Sequence, residues 1–236
     1  MKVFVGTMES GEADFPVCVD AIKRQVSVDL THFVVSGLPE WDAHQALYTR
    51  WNAIKDEYDL FLKVDADTVL NHPYVVAHFA KAFKENPRLT GAQAWLHDYI
   101  TNDLIYGLTC IRNTVTINVN PDRLYCDRVD TDHDVVLRGN ELPSELIPAG
   151  KHCFYASEVQ AFHYGVHRAK KGQLDVRRKI WSAWRRDTQN RKRSLALLGF
   201  RLATECEAFD YSSQAFQALY EKALREYDSL LQGESR

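Results

Sequence analysis

The feature that most limits the fold of this chain is a regular alternation of short apolar runs with segments of helical periodicity over its first 87 residues. Three runs have the length and composition of buried strands: "KVFVG" (2–6), "HFVVSG" (32–37) and "LFLKV" (60–64). Each is followed by apolar residues at helical spacing, in "PVCVDAIKRQ", "DAHQALYTRWNAIKDEY" and "YVVAHFAKAFKENP". This alternation predicts an α/β fold with a Rossmann-like, mostly parallel sheet flanked by helices.

The remainder of the chain changes character twice. "DLIYGLTCIRNTVTINV" (103–119) alternates like a β-hairpin with a turn at Arg112-Asn113. Residues 168–201 then carry 12 basic and 2 acidic side chains, and "SQAFQALYEKALREYDSLLQ" near the end predicts an amphipathic helix. We therefore expect one α/β domain over residues 1–168, the range over which the family resemblance below implies catalysis, and a C-terminal helical extension over residues 169–236.

Cysteine usage and hydropathy bear on the cellular compartment. The five cysteines are odd in number and lack C-x-x-C spacing, which predicts neither a disulfide framework nor a zinc site. The first fifteen residues predict no secretory signal, and no apolar stretch approaches the roughly 18 residues of a membrane span. The expected location is the cytoplasm.

Two aspartates follow the third apolar run, in "LFLKVDADTVL" (60–70). On an extended strand, Asp65 and Asp67 would point to the same side and repel each other. A divalent cation, Mn²⁺ or Mg²⁺, would compensate for that repulsion and keep coordination positions open for phosphate oxygens. A solvated turn that caps the next helix is the simpler alternative. Haloacid-dehalogenase-type phosphatases also use Asp-x-Asp, but their motif continues with Gly and Thr, whereas Thr68 follows directly here.

Five stretches in this order resemble GT-A-fold glycosyltransferases, most closely the inverting family 2 type: "KVFVGTMESG", "QALYTRWNAIKDEYD", "DLFLKVDADTVL", "DTDHDVVLRGNELPSELIPAG" and "AFHYGVHR". The resemblance covers residues 1 to about 168. It implies metal-dependent transfer of a sugar from a nucleoside-diphosphate-sugar donor to a glycan or lipid-linked acceptor. The pathway that it suggests is the biosynthesis of surface polysaccharide or lipopolysaccharide.

The resemblance also implies roles for individual residues. It assigns Asp67 to the metal and Asp65 to the donor ribose and, through water, to the metal. His163 is the expected third ligand, with His167 as the alternative. Asp132 corresponds to the general base of an inverting transfer, and Asp130 and Asp134 are alternatives in a neighbouring register. The remaining candidates for binding donor or phosphate are Thr7, Glu9, Lys63 and Arg168.

The basic segment 170–195 permits several interpretations. Ile180, Trp181 and Trp184 line one side of a predicted helix among arginines, which suits a peripheral contact with the inner face of a membrane. An acidic acceptor, the acidic body of this chain or a second copy in a homo-oligomer are the other candidates. No nucleic-acid-binding motif accompanies the charge, so no nucleic acid partner is expected. The rival functions are a nucleotidyltransferase or phosphatase using the same aspartates, and a non-catalytic binding or scaffold domain.

Overall fold

A computed structural model describes residues 1–126, 135–205 and 213–233 of the chain. The chain forms two compact units. The first comprises Met1–Asp98 and Leu104–Tyr155, and the second comprises Tyr99–Asp103 and Ala156–Arg236.

An eight-stranded mixed sheet is the framework of the first unit. Its strands, in chain order, are β1 (Lys2–Glu9), β2 (Asp29–Ser36), β3 (Leu60–Lys63), β4 (Thr68–Leu70), β5 (Gly91–Asp98), β6 (Asp103–Arg112), β7 (Val136–Arg138) and β8 (Gly150–His152). The order across the sheet is β2-β1-β3-β6-β5-β8-β4, and β7 pairs with β5. The three predicted strands are confirmed as β1, β2 and β3.

The sheet combines parallel and antiparallel pairs. β1 runs parallel to both β2 and β3, and β5 runs parallel to both β7 and β8. β6 is antiparallel to β3, and β4 is antiparallel to β8. The first three strands are therefore parallel neighbours, as their alternation with helices predicts, and the complete sheet is mixed.

The helices are α1 (Phe15–Lys23), α2 (Glu40–Ile54), α3 (Val75–Glu85), α4 (Glu158–Lys170), α5 (Leu174–Trp184), α6 (Arg191–Leu202) and α7 (Gln214–Gly233). The three helices predicted in the first 87 residues are confirmed as α1, α2 and α3. The predicted domain boundary at residue 168 falls inside α4. None of the helices in the described ranges has both the length and the apolar character needed to cross a membrane.

Two apolar clusters cover the two faces of the sheet, because side chains alternate along each strand. Val3 and Val5 of β1 pack with α1 and α3, whereas Phe4 between them packs with Trp51 of α2 on the opposite face. Gly6 permits the close approach of α2, since a Cβ there would lie 2.6 Å from a methyl carbon of Leu47. Because helices cover both faces of the sheet, the loops that can form a binding site lie at the ends of the strands.

Of the hairpin predicted at 103–119, the first strand and the turn at Arg112-Asn113 are confirmed, and the return strand is wrong. β6 runs through the first ten residues as one strand, and Val115 N–H then bonds to Arg112 O in a turn. The next residues run along α2, where Asn52 Nδ2 donates to Ile117 O at 2.7 Å. This segment is held by side chains of a helix, and a return strand is not formed.

The described residues of the second unit form the helices α4 to α7 and the short segment Tyr99–Asp103. Its core lies between α4, α6 and α7 and includes Phe162, Leu195 and Phe216. Arg193 of α6 is buried and donates to the carbonyl oxygens of Tyr99 and Ile100, which ties residues 99–103 to the helices. The amphipathic helix predicted near the chain end is confirmed as α7.

Candidate active site

The Asp-x-Asp motif lies in a turn. β3 ends at Lys63, and Thr68 N–H donates to Asp65 O at 2.9 Å before β4 begins. The expectation that both carboxylates project from one side of an extended strand is therefore wrong. Because the chain reverses between them, Asp65 and Asp67 have different partners.

The negative charge of Asp65 is balanced by the last residue of β3. Lys63 Nζ lies 2.5 Å from Asp65 Oδ1. The lysine side chain is 8% exposed and the aspartate side chain 36% exposed, so the pair lies at the edge of the protein interior. Lys63, a candidate for phosphate binding, thus contacts a carboxylate of the motif itself.

Asp67 contacts His152, which the sequence analysis did not predict as a site residue. His152 Nε2 lies 3.1 Å from Asp67 Oδ2, and His152 Nδ1 lies 2.7 Å from Asp98 Oδ1. Asp98 is fully buried. The sheet produces this chain of contacts, because β8 lies between β4 and β5 and its register pairs His152 with both Thr68 and Asp98.

The Asp67–His152 pair is charged at neutral pH. Burial raises the pKa of Asp67, but the positive charge and hydrogen bond of His152 outweigh burial and lower that pKa to about 2. Burial has the opposite effect on His152, whose pKa it lowers. The negative charge of Asp67 outweighs this effect of burial, and the pKa of His152 is raised well above 6.5. The imidazolium thus carries the positive charge that stabilises a half-buried carboxylate.

Cys153 completes the cluster. Its Sγ lies 3.3 Å from Asp67 Oδ2 and 3.7 Å from His152 Nε2, and its backbone N–H donates to Asp67 O at 3.0 Å. The residue has φ +57°, a conformation that is uncommon outside glycine. Burial raises the pKa of the thiol well above 9.0, so the sulfur is an S–H donor toward Asp67.

A cation would find suitable ligands here. Oxygen, nitrogen and sulfur atoms of Asp67, His152 and Cys153 all lie within 4.8 Å of one another. A histidine that binds metal through one nitrogen and a carboxylate through the other is the usual arrangement in metalloproteins, and Asp98 supplies that outer carboxylate. Carboxylate and imidazole suit Mn²⁺, whereas a thiolate would favour a softer cation.

The loop after β1 adjoins this turn. Cys18 of α1, the helix that follows this loop, has its Sγ 3.6 Å from Asp65 O. Burial raises the pKa of Glu12 in the loop, and the negative charge of Asp67 raises it further. Thr7 is fully buried with its Oγ1 3.0 Å from His32 Nε2. Glu9 Oε1 accepts the N–H of Gly11 at 2.6 Å. The ends of β1 and β3 are therefore neighbours, whereas Thr7 and Glu9 contact groups outside the Asp-x-Asp turn.

No protein-family model matches the chain, and no curated protein matches it. Among the solved structures that are similar in part, A197 from STIV has 16% identity and a TM-score of 0.36, and the match covers 48% of this chain and 65% of that one. A CMP:2-keto-3-deoxy-manno-octonic acid synthetase complexed with CTP has 13% identity and a TM-score of 0.32, with 48% of this chain and 75% of that one covered. A mannosyltransferase from Pyrobaculum calidifontis in complex with GDP-Man and Mn²⁺ has 12% identity and a TM-score of 0.34, with 94% of this chain and 79% of that one covered. One of these is thus a glycosyltransferase and one a nucleotidyltransferase. Likenesses at such TM-scores carry no inference about this chain.

The other predicted residues lie elsewhere in the chain. His163 and Arg168 belong to α4 in the second unit. The His163 ring lies 5.7 Å from that of His167 and 5.5 Å from that of Phe216. Arg168 lies over the ring of Tyr164 and donates to Gln173 Oε1 at 3.2 Å. Asp130, Asp132 and Asp134 lie outside the described residues.

Sequence reasoning missed three members of the site, namely Asp98, His152 and Cys153. The available signal was weak: Asp98 follows the alternating run "GAQAWLH", and His152 is one of several histidines in the second half of the chain. Their proximity depends on β5 and β8 being neighbours, which local periodicity does not reveal.

Proposed function

We propose that this protein is a metal-dependent glycosyltransferase of the GT-A type, which transfers a sugar from a nucleoside-diphosphate-sugar donor to a glycan or lipid-linked acceptor. The observation that carries the proposal is the contact of Asp67 with His152 at the carboxyl end of β3, with Asp98 behind the histidine. An oxygen and a nitrogen ligand with an outer carboxylate suit Mn²⁺ better than Mg²⁺, and the cation would bind the donor diphosphate.

The topology supports a nucleotide site at this position. Ligands of open α/β sheets bind beyond the carboxyl ends of the strands. The parallel order β2-β1-β3 brings the ends of β1 and β3 to the same edge of the sheet, and Cys18 and Asp65 contact each other there. In this proposal Thr7 and Glu9, at the end of β1, bind the donor nucleotide.

The residues of the motif have separate tasks. Asp67 and His152 would hold the cation, which would take the place of the proton on His152 Nε2, and Asp98 orients the imidazole so that Nε2 faces Asp67. Asp65 contacts the ribose, and Lys63 keeps its carboxylate in position. When bound, the cation supplies a Lewis acid that neutralises charge on the departing diphosphate.

The remaining roles rest on the sequence resemblance. Asp132 takes the proton of the acceptor hydroxyl in an inverting transfer. His163 is a further candidate ligand, and Arg168 a candidate for phosphate binding. A cytoplasmic enzyme of surface-polysaccharide assembly with a peripheral membrane contact through 170–195 is the setting that this function implies.

Isothermal titration calorimetry with UDP and GDP, with and without Mn²⁺, tests the proposal. We expect nucleotide binding that requires the metal and is lost in Asp67→Ala. The control Asp56→Ala, which removes an exposed carboxylate of the same unit, should retain binding. Comparison of His152→Ala with His163→Ala identifies the ligand. Metal-dependent binding of a nucleoside triphosphate alone would favour a nucleotidyltransferase, and absence of all binding would favour a scaffold.

A further inference from the structure

A second group of metal-ligating side chains lies at the start of α2. Glu40 and His44 are four residues apart on that helix, so their side chains share one face. Cys126 reaches the same position from the segment that follows β6. The ligand atoms of the three residues all lie within 4.8 Å of one another.

We propose that Glu40, His44 and Cys126 form a second cation site, selective for Zn²⁺ or a chemically similar ion, that is independent of the proposed transferase centre. Tetrahedral zinc with bonds of about 2.0–2.3 Å separates its ligands by about 3–4 Å, and the ligand atoms here lie within 4.8 Å of one another. Carboxylate, imidazole and thiolate together favour Zn²⁺ over Mg²⁺ and Mn²⁺. Three protein ligands leave a fourth position for water or another ligand.

The histidine is oriented for this role. His44 Nδ1 lies 2.8 Å from Glu40 O. Because a carbonyl oxygen can only accept, Nδ1 carries the proton, and Nε2 of the neutral ring then holds the lone pair that a metal needs. A hydrogen bond from the other ring nitrogen to a carbonyl is a common feature of histidine ligands in metal sites. The ring is nearly fully buried and packs edge-on against Tyr48 at 5.6 Å.

The segment that carries Cys126 is fixed to α2 by independent contacts. Trp41 Nε1 donates to Asn120 O at 2.9 Å, and the Arg123 guanidinium lies 5.5 Å from the centre of the Trp41 ring. Cys126 itself is fully buried. The thiol is thus held beside the helix by contacts that do not involve the cation, and a preformed set of ligands costs less ordering on binding.

The sequence predicted no zinc site, because that expectation rested on cysteine spacing alone. Here the three ligands come from a helix and from a segment more than eighty residues further along the chain. Only the docking of residues 117–126 on α2 brings them together.

Spectroscopic titration of the reduced, metal-free full chain with Co²⁺ tests the site. Titrations use a Cys153→Ser background, which removes the thiol beside Asp67. We expect a thiolate-to-Co²⁺ charge-transfer band at one ion per chain. Cys110→Ser, which removes a matched buried thiol, should retain the band, and Cys126→Ser should abolish it. Zn²⁺ should displace the Co²⁺ and remove the band.

Glu40→Gln keeps the test decisive if Cys126→Ser does not fold. This substitution removes a direct ligand, so it should lower the Co²⁺ affinity by at least about 100-fold, the upper end of the losses typical of outer contacts. Absence of the band in the Cys153→Ser background would overturn the proposal, as would a band that survives Cys126→Ser or an unchanged affinity in Glu40→Gln. The readout is independent of nucleotide binding, so failure here leaves the transferase proposal untouched.

Discussion

Replacing Asp67 with asparagine should change the pH dependence of stability in a calculable way. The pKa of this carboxyl is about 2 in the folded protein, against 3.8 for an ordinary aspartate, because His152 outweighs the effect of burial. A folded pKa below the unfolded value means that the ionised carboxylate stabilises the fold. That stabilisation is present above pH 3.8 and is lost as the pH falls toward 2.

The expected magnitude follows from the difference between the two pKa values. At about 1.4 kcal/mol for each pH unit, the ionised form contributes about 2 kcal/mol to the free energy of unfolding, and about half of it remains at pH 3. The same stabilisation also disappears as the pH rises through the raised pKa of His152. That pKa therefore sets the upper limit of the pH range in which the charged pair stabilises the fold. A comparison of pH 6 with pH 3 therefore isolates the acidic side.

Urea denaturation in EDTA at these two pH values measures the effect. Between pH 6 and pH 3 the wild type should lose about 1 kcal/mol more of its unfolding free energy than Asp67→Asn loses. The exposed-site variant Asp56→Asn should behave as the wild type does. Equal losses in the wild type and Asp67→Asn would refute the charged Asp67–His152 pair.

Three further substitutions have defined outcomes. Asp98→Asn should weaken Mn²⁺ binding by about 10–100-fold in calorimetry, since it alters the outer partner of His152, and an unchanged affinity would contradict that role. Gly165→Ala should destabilise the protein by about 1–3 kcal/mol in urea, because its Cβ would overlap the carbonyl oxygen of Ala196; a neutral effect would argue against this α4–α6 packing. Trp51→Ala should cost about 3–5 kcal/mol, and a loss below about 1 kcal/mol would argue against its full burial.

The first three strands and helices could be predicted because each is specified locally. The strands show the alternating or clustered apolar residues of buried strands, as in Val3, Val5 and "LFL". The apolar faces of α1, α2 and α3 are visible in the sequence as helical periodicity. Strand–helix alternation then leaves few arrangements other than parallel neighbours. The helical character of the C-terminal residues was visible for the same reason.

The later strands could not be predicted in this way. β4, β7 and β8 have three residues each, which is too short for a periodic signal. The 65–68 turn was missed because an apolar run does not indicate where its strand ends. The partner of Asp67 was missed because His152 is 85 residues away, and the two meet only through the pairing of β4 with β8.

Crystals grown with Mn²⁺ and UDP or GDP provide the most direct measurement of the proposed site, with the metal located by anomalous diffraction. We expect a peak bonded to the Asp67 carboxylate and His152 Nε2, with the diphosphate on its open side and the Asp98–His152 contact retained. A peak bonded elsewhere, or a nucleotide bound with no metal at Asp67, would contradict the proposed metal site.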